Sequence, residues 1–291
     1  MRVKKLFLLI ILLFVTAVLT QSCDVGGYGG LGFGYPGYGL YPGGGIIFGK
    51  NQNQESIKHA DKISFLIPLG AQLNNEIVKN SNVLNNPTVQ NYIDSLGKTL
   101  AANTGRSDIS FKFTVLKDKN INAFAMPGGF IYITTGLLET ISTEGELAAV
   151  LAHEISHIVL KHSLCEVKNR FGQDLSLDYT GNPQNFSADT PVFSIAQCAL
   201  MQRFNCEEET KVDELSAALL SRAGYSPSVI IKILELQQKV QQNKMLSNFC
   251  ASHPCDENRI SNIKNYISQN NLDKQGLITD KAIFKQVKRF L

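Results

Sequence analysis

Two histidines four residues apart, with a glutamate directly after the first, constrain this chain more than any other stretch: His153-Glu154-Ile155-Ser156-His157, inside LAHEISHIVLKH. On a helix, positions i and i+4 share a face, so both imidazoles can bind one zinc ion, and Glu154 is placed to take a proton from water held there. A metalloprotease activates water with this arrangement. The chemistry requires a helix, and the flanks supply one. Leu147, Val150, Leu151, Ile155 and Ile158 recur at three- and four-residue steps, and Thr143 with Glu146 makes a capping box ahead of them. The competing reading is a pair of core histidines on a buried apolar helix.

A third ligand must come from elsewhere. The metzincin extension would place Gly and His three and six residues after His157, where the chain has Leu160 and Ser163, so that class is excluded. His162 lies about 140° round the helix from His157 and is poorly placed to share a metal. A carboxylate on a second helix is the usual partner of two helix-borne histidines. Glu207 to Asp213 opens such a helix, with Val212, Leu215, Ala218 and Leu219 on its apolar face and a stop at Ala223-Gly224-Tyr225-Ser226-Pro227. Glu209 and Asp213 are one turn apart on one face, so Glu209 can ligate zinc while Asp213 accepts a hydrogen bond from a ligating imidazole. A solvated acidic helix start, favoured by the macrodipole, is the alternative.

The N-terminus reads as an export signal. Arg2, Lys4 and Lys5 precede a 14-residue apolar run, Leu6 to Leu19, too short to span a bilayer comfortably; an uncleaved anchor is the minor alternative. Leu19-Thr20-Gln21-Ser22-Cys23 resembles a bacterial lipobox, with Cys23 as the lipidated first residue of the mature protein, although Thr20 and Gln21 are loose matches and an ordinary signal peptide is the alternative. Without Arg2, Lys4 and Lys5, 25 basic residues face 25 acidic ones, which leaves no electrostatic case for nucleic acid. In an exported setting Cys165, Cys198, Cys206, Cys250 and Cys255 can pair in part, but their odd number leaves at least one thiol over, and sequence does not give the connectivity.

From Asp24 to Lys50, Gly fills 12 of 27 positions and Tyr 4, the composition of a flexible tether; adhesion through the tyrosines is the other reading. Helical patterning follows at 63–78 and 89–100, broken by Asn85-Asn86-Pro87, then strands at Phe111–Leu116 and Phe130–Thr134 with Pro127-Gly128-Gly129 between them. The strand ending near the catalytic helix offers an edge to which an extended peptide could add. The polar stretch 166–206 reads as a covering loop, and helices at 228–242 and 278–291 as packing elements.

Four segments together, NAFAMPGGFIYITTGLLE (122–139), ELAAVLAHEISHIVLKHS (146–163), Glu209 and Asp213 followed by SRAGYSP, and SHPCDENRI (252–260), resemble the zinc metallopeptidases typified by HtpX and the CAAX prenyl endopeptidase, in the branch of exported bacterial lipoproteins and periplasmic quality-control proteases. The resemblance runs from about residue 52 to the C-terminus. It implies an α+β, mostly α, gluzincin-like domain with a small β-sheet beside the catalytic helix. It also implies one Zn2+ on His153, His157 and Glu209, with Glu154 as general base and Asp213 supporting a ligand. Asn122, His253 and Arg259 are implied at the active-site rim, contacting substrate or the oxyanion, and His253 approaches the metal itself in some relatives; a plain loop residue is the alternative for His253. Cys206 and Val212 depart from residues common in relatives, Arg and Ala, and the tetratricopeptide array of some relatives is not expected here.

The expected organisation is a signal peptide at 1–22, lipidated Cys23 with a tether to residue 51, and a peptidase domain at 52–291. The expected function is an envelope endopeptidase, membrane-anchored and facing the periplasm, that cleaves misfolded or membrane-associated proteins. A catalytically silent envelope chaperone or scaffold is the alternative. Oligomeric state and the choice of inner or outer membrane are not legible.

Overall fold

The computed structural model describes residues 38–40, 46–48, 70–75, 77–160, 206–242, 253 and 257–291. The export signal, Cys23, His162, the 166–205 loop and the side chains of all six cysteines lie outside them. Two units divide the chain, Met1–Gly49 and Lys50–Leu291. In the first, β1 (Tyr38–Leu40) pairs antiparallel with β2 (Ile46–Phe48), Tyr38 opposite Phe48, so the stretch expected as a bare tether carries a hairpin. Apart from Gly39 its strand residues are aromatic or aliphatic, and its spacer is Pro- and Gly-rich, a hairpin composition hidden by the surrounding glycines.

In the second unit, helical backbone at 70–75 and 77–80 precedes α1 (Pro87–Ala101). Asn86 caps α1 by accepting from the backbone of Thr88 and Val89 at 3.0 and 3.2 Å, Pro87 fills the first turn, and Val89, Ile93, Leu96 and Leu100 form its buried stripe. A three-stranded sheet follows in the order β3 (Lys112–Leu116), β5 (Phe130–Thr134), β4 (Ala123–Met126); β3 runs parallel to β5 and β4 antiparallel to it. All five residues of β5 are buried, as a central strand requires. The expected edge at Phe130–Thr134 is therefore corrected: β5 is central, and the edge strands are β3 and β4, the second formed by residues that the Pro-Gly-Gly turn signal obscures. Gly128 and Gly129 make the β4–β5 connection at φ of 80° and 99°, and a Cβ on Gly129 would sit 2.8 Å from the carbonyl oxygen of Ser110.

Thr134 caps the short α2 (Thr135–Thr140), and α3 (Glu144–Val159) carries the histidines. The capping box of α3 is present: Glu146 N donates to Thr143 Oγ1 at 3.2 Å, and Glu146 Oε2 accepts from Thr143 N at 3.4 Å. Nearly every residue of α3 is buried, so its neighbours enclose it on all sides. They include β4, α1, α4 (Cys206–Arg222) and α5 (Val229–Gln242). The C-terminal segment holds α6 (Glu257–Gln269), α7 (Ala282–Val287) and a final 3-10 turn at Lys288–Phe290. α6, rich in polar residues, went unread in the sequence; its buried Arg259, Ile263 and Ile267 stand four residues apart.

The C-terminal segment straps the start of α3. Gly145 N donates to Thr279 O at 3.2 Å, and any Cβ on Gly145 would meet that oxygen at 2.3 Å. Asp280 Oδ1 accepts from Glu144 N at 3.1 Å. The buried Glu144 carboxylate accepts from the hydroxyls of Tyr92 and Tyr225, and Lys281 Nζ lies 2.7 Å from its Oε1. These partners come from α1, the turn after α4 and the C-terminal segment, so one carboxylate ties three parts of the chain to the end of the catalytic helix. Among the described residues no helix is long and apolar enough to cross a membrane.

Candidate metal centre

The helices α3 and α4 bring the ligands together, and small residues let them approach. Ser156 Oγ and Ser216 Oγ lie 3.0 Å apart, both fully buried; Ser156 Oγ donates to Ala152 O at 2.8 Å and Ser216 Oγ to Val212 O at 2.6 Å. Each serine thus satisfies its hydroxyl on its own helix while presenting little bulk to the other. This contact adjoins His157 on one side and stands within a turn of Asp213 on the other.

His153 Nε2 and His157 Nε2 are 3.1 Å apart, Glu209 Oε2 is 3.4 Å from the first and Glu209 Oε1 3.5 Å from the second. Ligand atoms about 2.0–2.1 Å from one tetrahedral zinc are separated by roughly 3.3 Å, so these three edges have the size of a zinc site. Glu209 has no solvent exposure, and among the described residues neither of its oxygens accepts a well-aligned hydrogen bond; Arg259 Nη2 lies 2.8 Å from Oε2, while Oε1 has His157 Nε2 at 3.5 Å. A buried carboxylate with an oxygen so placed is suited to a metal ion. Three buried carboxyl groups, Glu154, Glu209 and Asp213, meet here with Arg259 against two of them, surroundings that favour an added cation. The donor set of two imidazoles and a carboxylate suits a divalent transition metal, zinc among them.

The electrostatics have the same origin. Burial opposes charge on His153, yet its contacts with Asp213 and Glu209 outweigh it and push its pKa up to about 10. Burial opposes ionisation of Glu209 and Asp213 too, but His253, His153 and Arg259 around the first, and His153 and Arg259 around the second, hold both below the usual carboxylate range. For Glu154 burial prevails, aided by the charge of Glu209 and opposed by His153, and the carboxyl is pushed up to about 7.

Each expected site residue has a definite place. His153, Glu154, His157 and Glu209 converge; Asp213 Oδ1 sits 3.4 Å from His153 Nδ1, the ring nitrogen turned away from the ligand cluster. His253 joins the cluster: its ligand atom and those of His153, His157 and Glu209 all lie within 4.8 Å of one another, and its Nε2 is 3.7 Å from Glu154 Oε1. Asn122 stands at the start of β4 with its backbone bonded to Thr134, and its buried Oδ1 accepts no hydrogen bond among the described residues. Arg259, expected at the rim, is 2% exposed and lies behind the carboxylates, its Nε and Nη2 donating to Asp213 at 2.8 and 2.9 Å. The sequence reading did not find the anchoring role of Glu144, Tyr92, Tyr225 and Lys281, whose partners are 52 to 137 positions apart and leave no local pattern.

A mostly helical domain with a small mixed sheet and two helix-borne histidines facing a carboxylate on a second helix defines a gluzincin-like metallopeptidase fold. The sequence profile of Peptidase family M48 matches residues 87–267, and the chain belongs to that family. It is similar to the mitochondrial metalloendopeptidase OMA1 of Schizosaccharomyces pombe, 29% identical over 187 residues, covering 61% of this chain and 53% of that protein. The beta-barrel assembly-enhancing protease of Escherichia coli O157:H7 is 26% identical over 199 residues, covering 64% of this chain and 40% of that one. Metalloprotease YcaL of Escherichia coli K12 is 25% identical over 176 residues, covering 60% of this chain and 68% of YcaL. The chain thus spans about half or less of the length of the first two relatives. What it carries is an M48 metallopeptidase domain.

Proposed function

We propose that this chain is a zinc-dependent endopeptidase of the bacterial cell envelope that hydrolyses misfolded or membrane-associated proteins, with Glu154 as general base. The observation that carries the reading is Glu154 itself: 1% exposed, adjacent in sequence to a ligand, and holding an Oε1 that accepts no hydrogen bond among the described residues. His153, His157 and Glu209 would hold the metal, and bound zinc acidifies water and polarises a carbonyl. Glu154 then takes the proton of the attacking water and hands it to the leaving amine, a transfer suited to a carboxyl titrating near neutrality. Asp213, at His153 Nδ1, keeps that imidazole turned so that Nε2 faces the ligand cluster.

The sheet supports a peptide substrate. β4 is one of the two edge strands of the sheet among the described residues and packs against α3, which places an edge open to an extended chain beside the helix that carries Glu154. Envelope placement rests on the expected export signal and lipidated Cys23, and on similarity to a protease whose name refers to beta-barrel assembly. The test compares wild type with Glu154→Gln on unfolded casein, with zinc measured in each. The expected result is equal zinc and at least a ~100-fold loss of turnover. Equal zinc with equal cleavage removes Glu154 from the chemistry. Zinc in both with no cleavage of casein or of an unfolded membrane protein favours a non-catalytic scaffold.

A further inference from the structure

Arg259 has a different place from the one its motif implies. It is the bulkiest of the fully buried side chains, and it reaches from α6 to two residues of α4. Two N–H groups, Nε and Nη2, go to the two oxygens of Asp213, at 2.8 and 2.9 Å. Nη2 also lies 2.8 Å from Glu209 Oε2, without an aligned hydrogen bond to it. The guanidinium therefore binds one carboxylate by two directed hydrogen bonds and pairs with the other as an ion.

From this geometry we infer that Arg259 is a positioning residue for the metal ligands rather than a substrate contact. It acts along two routes. It fixes Asp213, whose Oδ1 in turn faces His153 Nδ1 at 3.4 Å and sets the orientation of that imidazole. It also offsets the charge of Glu209, one turn from Asp213 and just as buried, without an aligned hydrogen bond to it. Two carboxylates this close repel each other when buried, and one planar fork restrains both. A lysine carries the same charge but cannot make the two-pronged contact, so charge and fork are separable by substitution.

The inference rests on the metal-site reading, and its test keeps the two apart. Purified full-length protein is stripped of metal and titrated with Zn2+ against a chromophoric chelator and with Co2+ by visible absorption, for wild type, Arg259→Lys, Arg259→Met, Asp213→Asn and Arg259→Lys/Asp213→Asn. Wild type should bind one equivalent. Arg259→Lys should bind 10- to 100-fold more weakly with an altered Co2+ spectrum, Arg259→Met more weakly still, and the Arg259→Lys penalty should shrink on the Asp213→Asn background, because the route through Asp213 is already cut. Arg259 variants that bind within twofold of wild type, or a penalty undiminished by Asp213→Asn, overturn the inference. A variant that lowers only the melting temperature shows a structural role, and one that raises only KM for peptide shows a substrate contact; either overturns it. Should Arg259→Met fail to fold, the Lys and Asn cycle decides alone. A folded wild type that takes up neither metal sinks the metal-site reading itself.

Discussion

His153 Nε2 and His157 Nε2 face each other across 3.1 Å, and both residues are buried. Two imidazole nitrogens this close, with a carboxylate at 3.4 and 3.5 Å from them, have the spacing of ligands to one metal ion.

Metal removal should therefore cost stability as well as activity. Zinc held at a hundred times its dissociation constant contributes about 2.7 kcal/mol to folding, which for a domain of this size is a shift of roughly 5–10 °C in melting temperature. Thermal melts in chelator, then with zinc restored, measure it; a melting temperature indifferent to both would contradict a metal held by these residues.

His253 stands in the ligand cluster beside Glu154, and four protein ligands close a tetrahedral metal. His253→Ala should weaken zinc binding while raising turnover on unfolded casein, because the fourth position opens to water. Loss of zinc affinity with no gain, or a fall, in turnover per bound zinc would assign His253 to substrate binding instead.

Glu144 is anchored by Tyr92, Tyr225 and Lys281, so Tyr225→Phe removes one donor to a buried carboxylate. The expected cost is about 1–3 kcal/mol, read as a lower denaturant midpoint with an unchanged slope. Zinc stoichiometry should not change, since the hub touches the far end of α3. A midpoint equal to wild type would show that Lys281 and Tyr92 suffice.

Asp280 accepts the backbone N–H of Glu144, and this bond, with Lys285 3.5 Å away, holds its carboxyl below the usual range. A carboxyl depressed in the folded state adds stability above its unfolded pKa of about 3.9 and loses it as pH falls through the folded value. Asp280→Asn should accordingly destabilise at pH 7, and the gap from wild type should close below about pH 4. Denaturant midpoints at pH 7 and pH 3 check this; a gap that persists at low pH would place the effect in packing.

What could be read in the sequence was what is encoded locally. The α3 helix of sixteen residues carries the i, i+4 histidines and takes its capping box from Thr143 directly before it, and Glu209 follows from a one-turn spacing to Asp213 on the next well-patterned helix. Strand β4 was lost because Ala123–Met126 is short and three of its four residues are Ala or Met; pairing with β5 makes it a strand, not propensity. Arg259 was misplaced for a related reason. A motif states that an arginine belongs near the site, while its depth depends on how α6 seats against α4. The hairpin in the Gly/Tyr stretch is not legible because its five aromatic or aliphatic strand residues are diluted among glycines.

The enclosure of α3 on every side has a kinetic consequence. Backbone amides exchange with solvent when their helix frays or detaches, and a helix with one wet face does so at a fraction of the global unfolding free energy. For α3, whose buried residues run from Glu144 to Val159, there is no partial opening that leaves the rest of the domain intact. Its amides should exchange together, at the rate of whole-domain unfolding. The metal ligands then come apart only when the fold does, and loss of activity on heating should follow the unfolding curve without a preceding phase.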